Sequence, residues 1–167
     1  NDSELAEKCQ ILKKNGAPKR YYNTDIGWNF KMPDISAALG ISQLKRIESF
    51  IEAKNLRAKI YDELLSSVQG ITTPIVRKYN RATYTLYSIL TESTGLREKI
   101  RINLENQGIE TRINFPSMHL QPVYVEKFGG TKGQLPVSED SSERILGLPL
   151  FINMTQEQQE LVAHIIK

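Results

Sequence analysis

Residues 27–40 read Gly27-Trp28-Asn29-Phe30-Lys31-Met32-Pro33-Asp34-Ile35-Ser36-Ala37-Ala38-Leu39-Gly40. A glycine turn, two aromatic rings, an amide and a cation stand immediately before a proline that opens a run of small apolar residues. Proline suits the first helical position, where its missing N–H would have no partner, so the spacing predicts a helix starting at Pro33. Polar tips at the mouth of a rigid helix are common binding material. Asn29 and Lys31 both donate hydrogen bonds, one neutral and one charged. Two readings stand on these residues alone. Either Trp28 and Phe30 bury themselves while Asn29 and Lys31 face water, or Asn29 and Lys31 serve a bound anion that Trp28 shields.

Downstream, Ile35, Ala38, Ile41, Leu44, Ile47 and Ile51 continue the helical spacing, and Leu56, Ile60, Leu64 and Val68 resume it after a phase shift at Lys54-Asn55. This pattern predicts two helices, or one bent helix running between two bodies of structure. Upstream, residues 3–15 predict a short helix with Leu5, Cys9 and Leu12 on one stripe and Asn15-Gly16 as its stop. Residues 16–31 predict an ordered loop. After Gly70 the pattern changes: Thr83 to Leu90 is rich in aromatic and β-branched residues and predicts a buried strand. Leu96, Ile100 and Leu104 mark a helix ended by Gly108, and Ile109 to Ile113 alternates as a short strand. Residues 138–146 predict a short helix, and Leu148-Pro149-Leu150 allows no more than an edge strand. Thr155-Gln156-Glu157-Gln158 is a capping box that opens a last helix with Val162, Ile165 and Ile166 inward. The order predicts an α+β fold, a small antiparallel or mixed sheet packed with helices and entered by a long helix.

Composition narrows the function classes. With 40% hydrophobic and 25% charged residues over 167 positions, the chain is ordinary for a globular protein with a real core. No apolar run approaches the roughly 20 residues that cross a bilayer. The net charge of +3 is small and its cations scatter, which argues against a nucleic-acid surface. One cysteine excludes an internal disulfide and fits a reducing cytoplasm, and two histidines without a CxxC offer no zinc ligand set. Asn1-Asp2-Ser3-Glu4 is polar and resembles no signal peptide; without an initiator Met, the chain is expected to be part of something longer.

Few residues form a constellation for chemistry. Glu139-Asp140 reads as acids complementing the start of a helix, and Gly129-Gly130 as a surface turn. His164 reads as a partly exposed packing residue. His119 lies between Pro116 and Pro122 with Gln121 and Tyr124 close by, and its two readings, a structural histidine or part of a site, stand about level.

Three blocks in order carry a resemblance. The first is Gly27 to Met32 followed by Ile35, Ala37-Ala38-Leu39-Gly40 and Gln43-Leu44. The second is Pro116-Ser117-Met118-His119-Leu120-Gln121-Pro122-Val123-Tyr124. The third is Leu135-Pro136-Val137-Ser138-Glu139 with Leu146 to Leu150 and Thr155 to Gln158. Together they resemble the DegT/StrS-type PLP-dependent nucleotide-sugar aminotransferases, in their C-terminal portion. The resemblance implies a C-terminal small domain of a fold type I transferase at residues 51–167. Residues 1–50 would be the end of the large cofactor domain. It implies pyridoxal 5'-phosphate, a homodimer with active sites at the interface, glutamate as amino donor and a nucleotide-linked keto-sugar as acceptor, in amino-sugar or surface-polysaccharide synthesis. Asn29 would reach the cofactor phosphate of the neighbouring subunit. Lys31 stands where most members carry Arg, so the charge for a sugar-nucleotide diphosphate remains but the bidentate fork does not. Trp28, His119, Gln121 and Tyr124 would border the substrate. No lysine here sits in the motif that holds PLP, so this chain alone is expected to be inactive. The alternative is a non-catalytic oligomerisation or sugar-phosphate-binding module, or a regulator built on the enzyme fold.

Overall fold

The computed structural model describes residues 1–167, which divide into two compact units, Asn1–Ile47 and Glu48–Lys167. The first holds helix α1 (Ser3–Leu12), the loop that follows it, and helix α2 (Asp34–Leu44). α1 is capped by the Asp2 carboxylate, which accepts from the Leu5 N–H, and it ends three residues before the expected stop, with Asn15 and Gly16 both at positive φ. Pro33 is the N-cap of α2 rather than its first helical residue. The helical pattern breaks at Lys45-Arg46, between α2 and α3 (Ile47–Leu65), not at Lys54-Asn55. There the Asn55 amide donates to the Ile51 and Ala82 carbonyls and stays inside the helix. The shift of phase in the sequence therefore marks no change of backbone.

The second unit is built around a three-stranded antiparallel sheet in the order β1 (Ile71–Thr72), β2 (Tyr87–Thr91), β3 (Ile145–Leu148). Its register sets Ile71 opposite Thr91, Tyr87 opposite Leu148 and Ile89 opposite Leu146. Side chains alternate across a strand, so Tyr87, Ile89 and Thr91 fall on one buried face. Against them pack Ala58, Tyr61 and Leu65 of α3, Ile100 and Leu104 of α4 (Thr94–Asn106), and Val162, Ala163 and Ile166 of α7 (Gln156–Ile166). Burial of two phenols in this core requires partners for their hydroxyls. Tyr61 donates to the Pro149 carbonyl at 3.1 Å and Tyr87 to the Asp62 carboxylate at 2.6 Å. The capping box at Thr155 and Gln158 forms as expected.

The expected strand at 83–90 begins only at Tyr87, because Tyr84 takes a positive φ of 43° that no strand tolerates. Residues 109–113 form a single bridge, Arg112 to Gly147, rather than a strand. Two elements were not expected: β1, too short to show alternation, and helix α5 (Pro122–Phe128), preceded by a 3-10 turn at Met118–Leu120. α5 has a sequence signature, proline at its first position and Gly129 in the left-handed conformation after its end. Helix α6 (Pro136–Arg144) starts two residues earlier than expected, and β3 precedes Pro149. No helix is long and apolar enough to cross a membrane.

α2 has no buried residue, and Ile35 (86% accessible), Leu39, Ile41 and Leu44 are exposed with Trp28, Phe30 and Met32. Apolar surface of this extent is seldom left in water. The isolated chain is expected to self-associate in sizing experiments through the α2 face. A strictly monomeric profile at high concentration would contradict that.

Candidate functional site

In the first unit, the site is made by a backbone crossing. The segment Trp28–Phe30 lies antiparallel to residues 12–15: Trp28 N–H donates to Leu12 O at 2.8 Å, Asn15 N–H to Trp28 O at 2.9 Å, and Phe30 N–H to Lys13 O at 3.0 Å. To enter this pairing, Gly27 passes Gly16 so closely that a Cβ on Gly27 would stand 2.1 Å from the Gly16 nitrogen. A Cβ on Gly16 would stand 1.8 Å from the Asp25 carbonyl oxygen. Thr24 and Asp25 N–H both donate to Gly16 O, and an ion pair between Lys8 and Asp25 closes the loop.

In an extended segment, alternate side chains share a face. Trp28 and Phe30 accordingly stack, centroids 5.7 Å apart and planes 5° from parallel. They are not buried, at 54% and 69% accessible, so the reading in which the rings hide is wrong for this chain. Asn29 and Lys31 are exposed, and no hydrogen bond or ion pair within the chain engages either side chain. An amide and an ammonium left uncommitted on a braced strand are a fit donor set for a phosphate.

In the second unit, His119 lies in the 3-10 turn before α5. Its side chain is 14% accessible, and Nε2 stands 2.9 Å from Glu139 Oε1. Glu139 (8% accessible) also accepts from the Gly133 N–H through both oxygens, at 2.9 and 2.8 Å, and from the Leu135 N–H at 3.1 Å. The reading of Glu139 as a helix-start acid is therefore too small: it gathers two backbone amides and a ring. Gly130 is not a surface turn either. It is buried, and a Cβ there would meet the His119 carbonyl oxygen at 1.9 Å. Ser117, also buried, bonds to Ser142 at 2.9 Å, whose hydroxyl donates to the Glu139 carbonyl. Gln121 is the N-cap of α5, and its side chain lines a surface depression with Arg97, Ser117, Lys132, Glu139 and Glu143. Tyr124 is exposed and stacks on Phe128 one helical turn on. His164 is exposed on α7.

A model of the DegT/DnrJ/EryC1/StrS aminotransferase family matches residues 1–167. The chain belongs to this family. It is 33% identical over 160 residues to the GDP-perosamine synthase of Escherichia coli O157:H7, covering 95% of this chain and 43% of that protein. Among solved structures it resembles the aminotransferase TlmJ of Streptoalloteichus hindustanus, with a TM-score of 0.88 and 27% identity over 99% of this chain and 45% of that one. A DegT/DnrJ/EryC1/StrS aminotransferase from Brucella abortus gives a TM-score of 0.84 and 30% identity, again over 99% of this chain and 43% of that one. The chain thus spans less than half the length of these relatives. The family is one of PLP-dependent sugar aminotransferases.

Sequence reasoning missed Glu139 and Gly130 as partners of His119. The available signal was the presence of His119 in the second block and Glu139 in the third, too far apart in the chain to be paired by spacing; Gly130 falls in neither block.

Two outcomes follow from this geometry. Gly27→Ala is expected to destabilise the chain, because the new methyl meets backbone rather than a flexible side chain. Gly40→Ala on α2, where a Cβ meets nothing within 4 Å, should stabilise it by about 1 kcal/mol through helix propensity. Urea denaturation of both variants checks this, and equal effects would contradict it. The second outcome concerns pH. The Gly133 amide most of all, with Leu135 and His119, holds the Glu139 carboxyl below its ordinary 4.5, against the upward pull of burial. A lowered folded-state value means these bonds stabilise fully above about 4.5 and weaken as pH falls through the folded value. The stability gap between the wild type and Glu139→Gln should be level near neutrality and shrink in acid. A gap unchanged by acid would contradict this.

Proposed function

We propose that this chain is the C-terminal part of a PLP-dependent aminotransferase that moves an amino group from glutamate to a nucleotide-linked keto-sugar. The observation that carries the reading is the family match over the whole chain, together with an uncommitted amide and ammonium at Asn29 and Lys31. When bound, PLP supplies the electrophilic carbonyl that accepts an amino group from the donor and returns it to the sugar ketone. Residues 1–50 belong to the end of the cofactor domain and residues 51–167 to the small domain. The lysine that holds PLP is not among the residues of this chain, so the reaction is a property of the intact protein. That protein works as a cytoplasmic homodimer in amino-sugar or surface-polysaccharide synthesis.

In this reading Asn29 donates its amide N–H to the cofactor phosphate of the neighbouring subunit. A neutral donor adds a hydrogen bond there without a competing charge. Lys31 offers its ammonium to the substrate diphosphate as a point charge, less directional than a guanidinium. Trp28, held flat against Phe30, covers one side of the bound groups and excludes water. His119, Gln121 and Tyr124 border the sugar.

The intact protein loaded with PLP is expected to release 2-oxoglutarate from glutamate. Asn29→Ala should weaken PLP retention by about ten- to a hundredfold, the worth of one hydrogen bond to a charged group. Failure to release 2-oxoglutarate would sink the glutamate-dependent reaction, and unchanged cofactor affinity would rule out the phosphate contact.

A further inference from the structure

The His119–Glu139 pair joins two segments separated by helix α5, and its chemistry has a definite direction. A carboxylate only accepts hydrogen bonds. Glu139 is held ionised at neutral pH by the Gly133 and Leu135 amides that donate to it. A ring nitrogen 2.9 Å from such an oxygen must therefore carry the proton. In the neutral imidazole that leaves Nδ1 with the lone pair. Two further features hold the ring where it is. Gly130 packs its bare Cα against the His119 carbonyl, with no room for a methyl. Ser117, two residues before His119, is tied to Ser142 of α6.

We propose that Glu139 is a positioning residue for His119: it fixes the imidazole as the Nε2–H tautomer, so that Nδ1 is offered as a hydrogen-bond acceptor to a hydroxyl of the substrate. The assignment of that hydroxyl to a sugar rests on the proposed function; the tautomer does not. A sugar hydroxyl is a donor that needs an acceptor of this kind, whereas the opposite tautomer would present an N–H and suit a carbonyl or phosphate oxygen. Glu139 thus acts on specificity through another residue, and it does so by means of backbone amides that no side-chain substitution elsewhere removes. Carboxylates and carbonyls select the tautomer of functional histidines in this way generally.

The test is a long-range 1H–15N correlation spectrum of the intact protein labelled with 15N-histidine, recorded at about pH 9. Signals are assigned by their loss in His119→Gln, and the exposed His164 serves as the internal reference for a ring without a fixed partner. The wild type is expected to show His119 protonated at Nε2, and Glu139→Ala to lose that preference and approach the mixture seen at His164. Protonation of His119 at Nδ1 in the wild type, or an unchanged tautomer in Glu139→Ala, would overturn the proposal. The wild-type spectrum decides even where the variant fails to fold. Because it is read without substrate, failure of 2-oxoglutarate release would count against the proposed reaction and leave the tautomer result standing.

Discussion

At two places in this chain glycine backbone passes other backbone so closely that a Cβ would collide with it, and what each unit presents depends on them. Gly16 and Gly27 cross at a separation where a Cβ would sit inside van der Waals contact, and that crossing allows residues 28–30 to pair with residues 12–15. Gly130 makes the same concession to the His119 carbonyl. At Gly16, with φ 71°, glycine is required by dihedral angle as well as by space; at Gly27 and Gly130 it is required by space alone. In the first, the result is a backbone held by hydrogen bonds beneath Asn29 and Lys31; in the second, it is a tightly packed backbone beneath a ring bonded to Glu139.

Rigidity obtained this way has a functional consequence. Asn29 and Lys31 are exposed yet not adrift, because the strand under them is paired on one side and stacked by Trp28 and Phe30 on the other. Ordering a flexible side chain on binding costs about 0.5–1.5 kcal/mol, and a pre-formed backbone leaves only that to be supplied by the ligand. At His119 the ring itself is ordered, by a carboxylate whose charge is balanced by amide dipoles rather than by a cation. Such an arrangement stabilises the carboxylate without a neighbouring lysine or arginine.

The capped helices and the buried strand were legible because each rests on local rules. Thr155 with Gln158, Gly108 after Leu104, and the aromatic and β-branched run that includes Tyr87 and Ile89 all declare themselves within a few residues. The break at Lys45-Arg46 was not, since no glycine or proline marks it, and a shift in apolar phase farther on drew attention instead. Tyr84 shows the same limit: its aromatic and β-branched neighbours read as strand, while its positive φ has no mark in the sequence. The site was half legible. Asn29, Lys31 and His119 stood out by residue type and company. Glu139 did not, because its partners lie four to twenty residues away and His119 becomes a neighbour only when the chain folds. α2 buries no residue, and its exposed Ile35, Leu39, Ile41 and Leu44 fit a surface meant for further protein.

The central claim is that this braced strand serves a cofactor. The most direct measurement is a crystal structure of the intact protein with PLP and a nucleotide-linked amino sugar bound. The expected result has the Asn29 amide within hydrogen-bond distance of the cofactor phosphate of the neighbouring subunit. An Asn29 side chain that faces solvent, with that phosphate held entirely by other groups, would contradict the account.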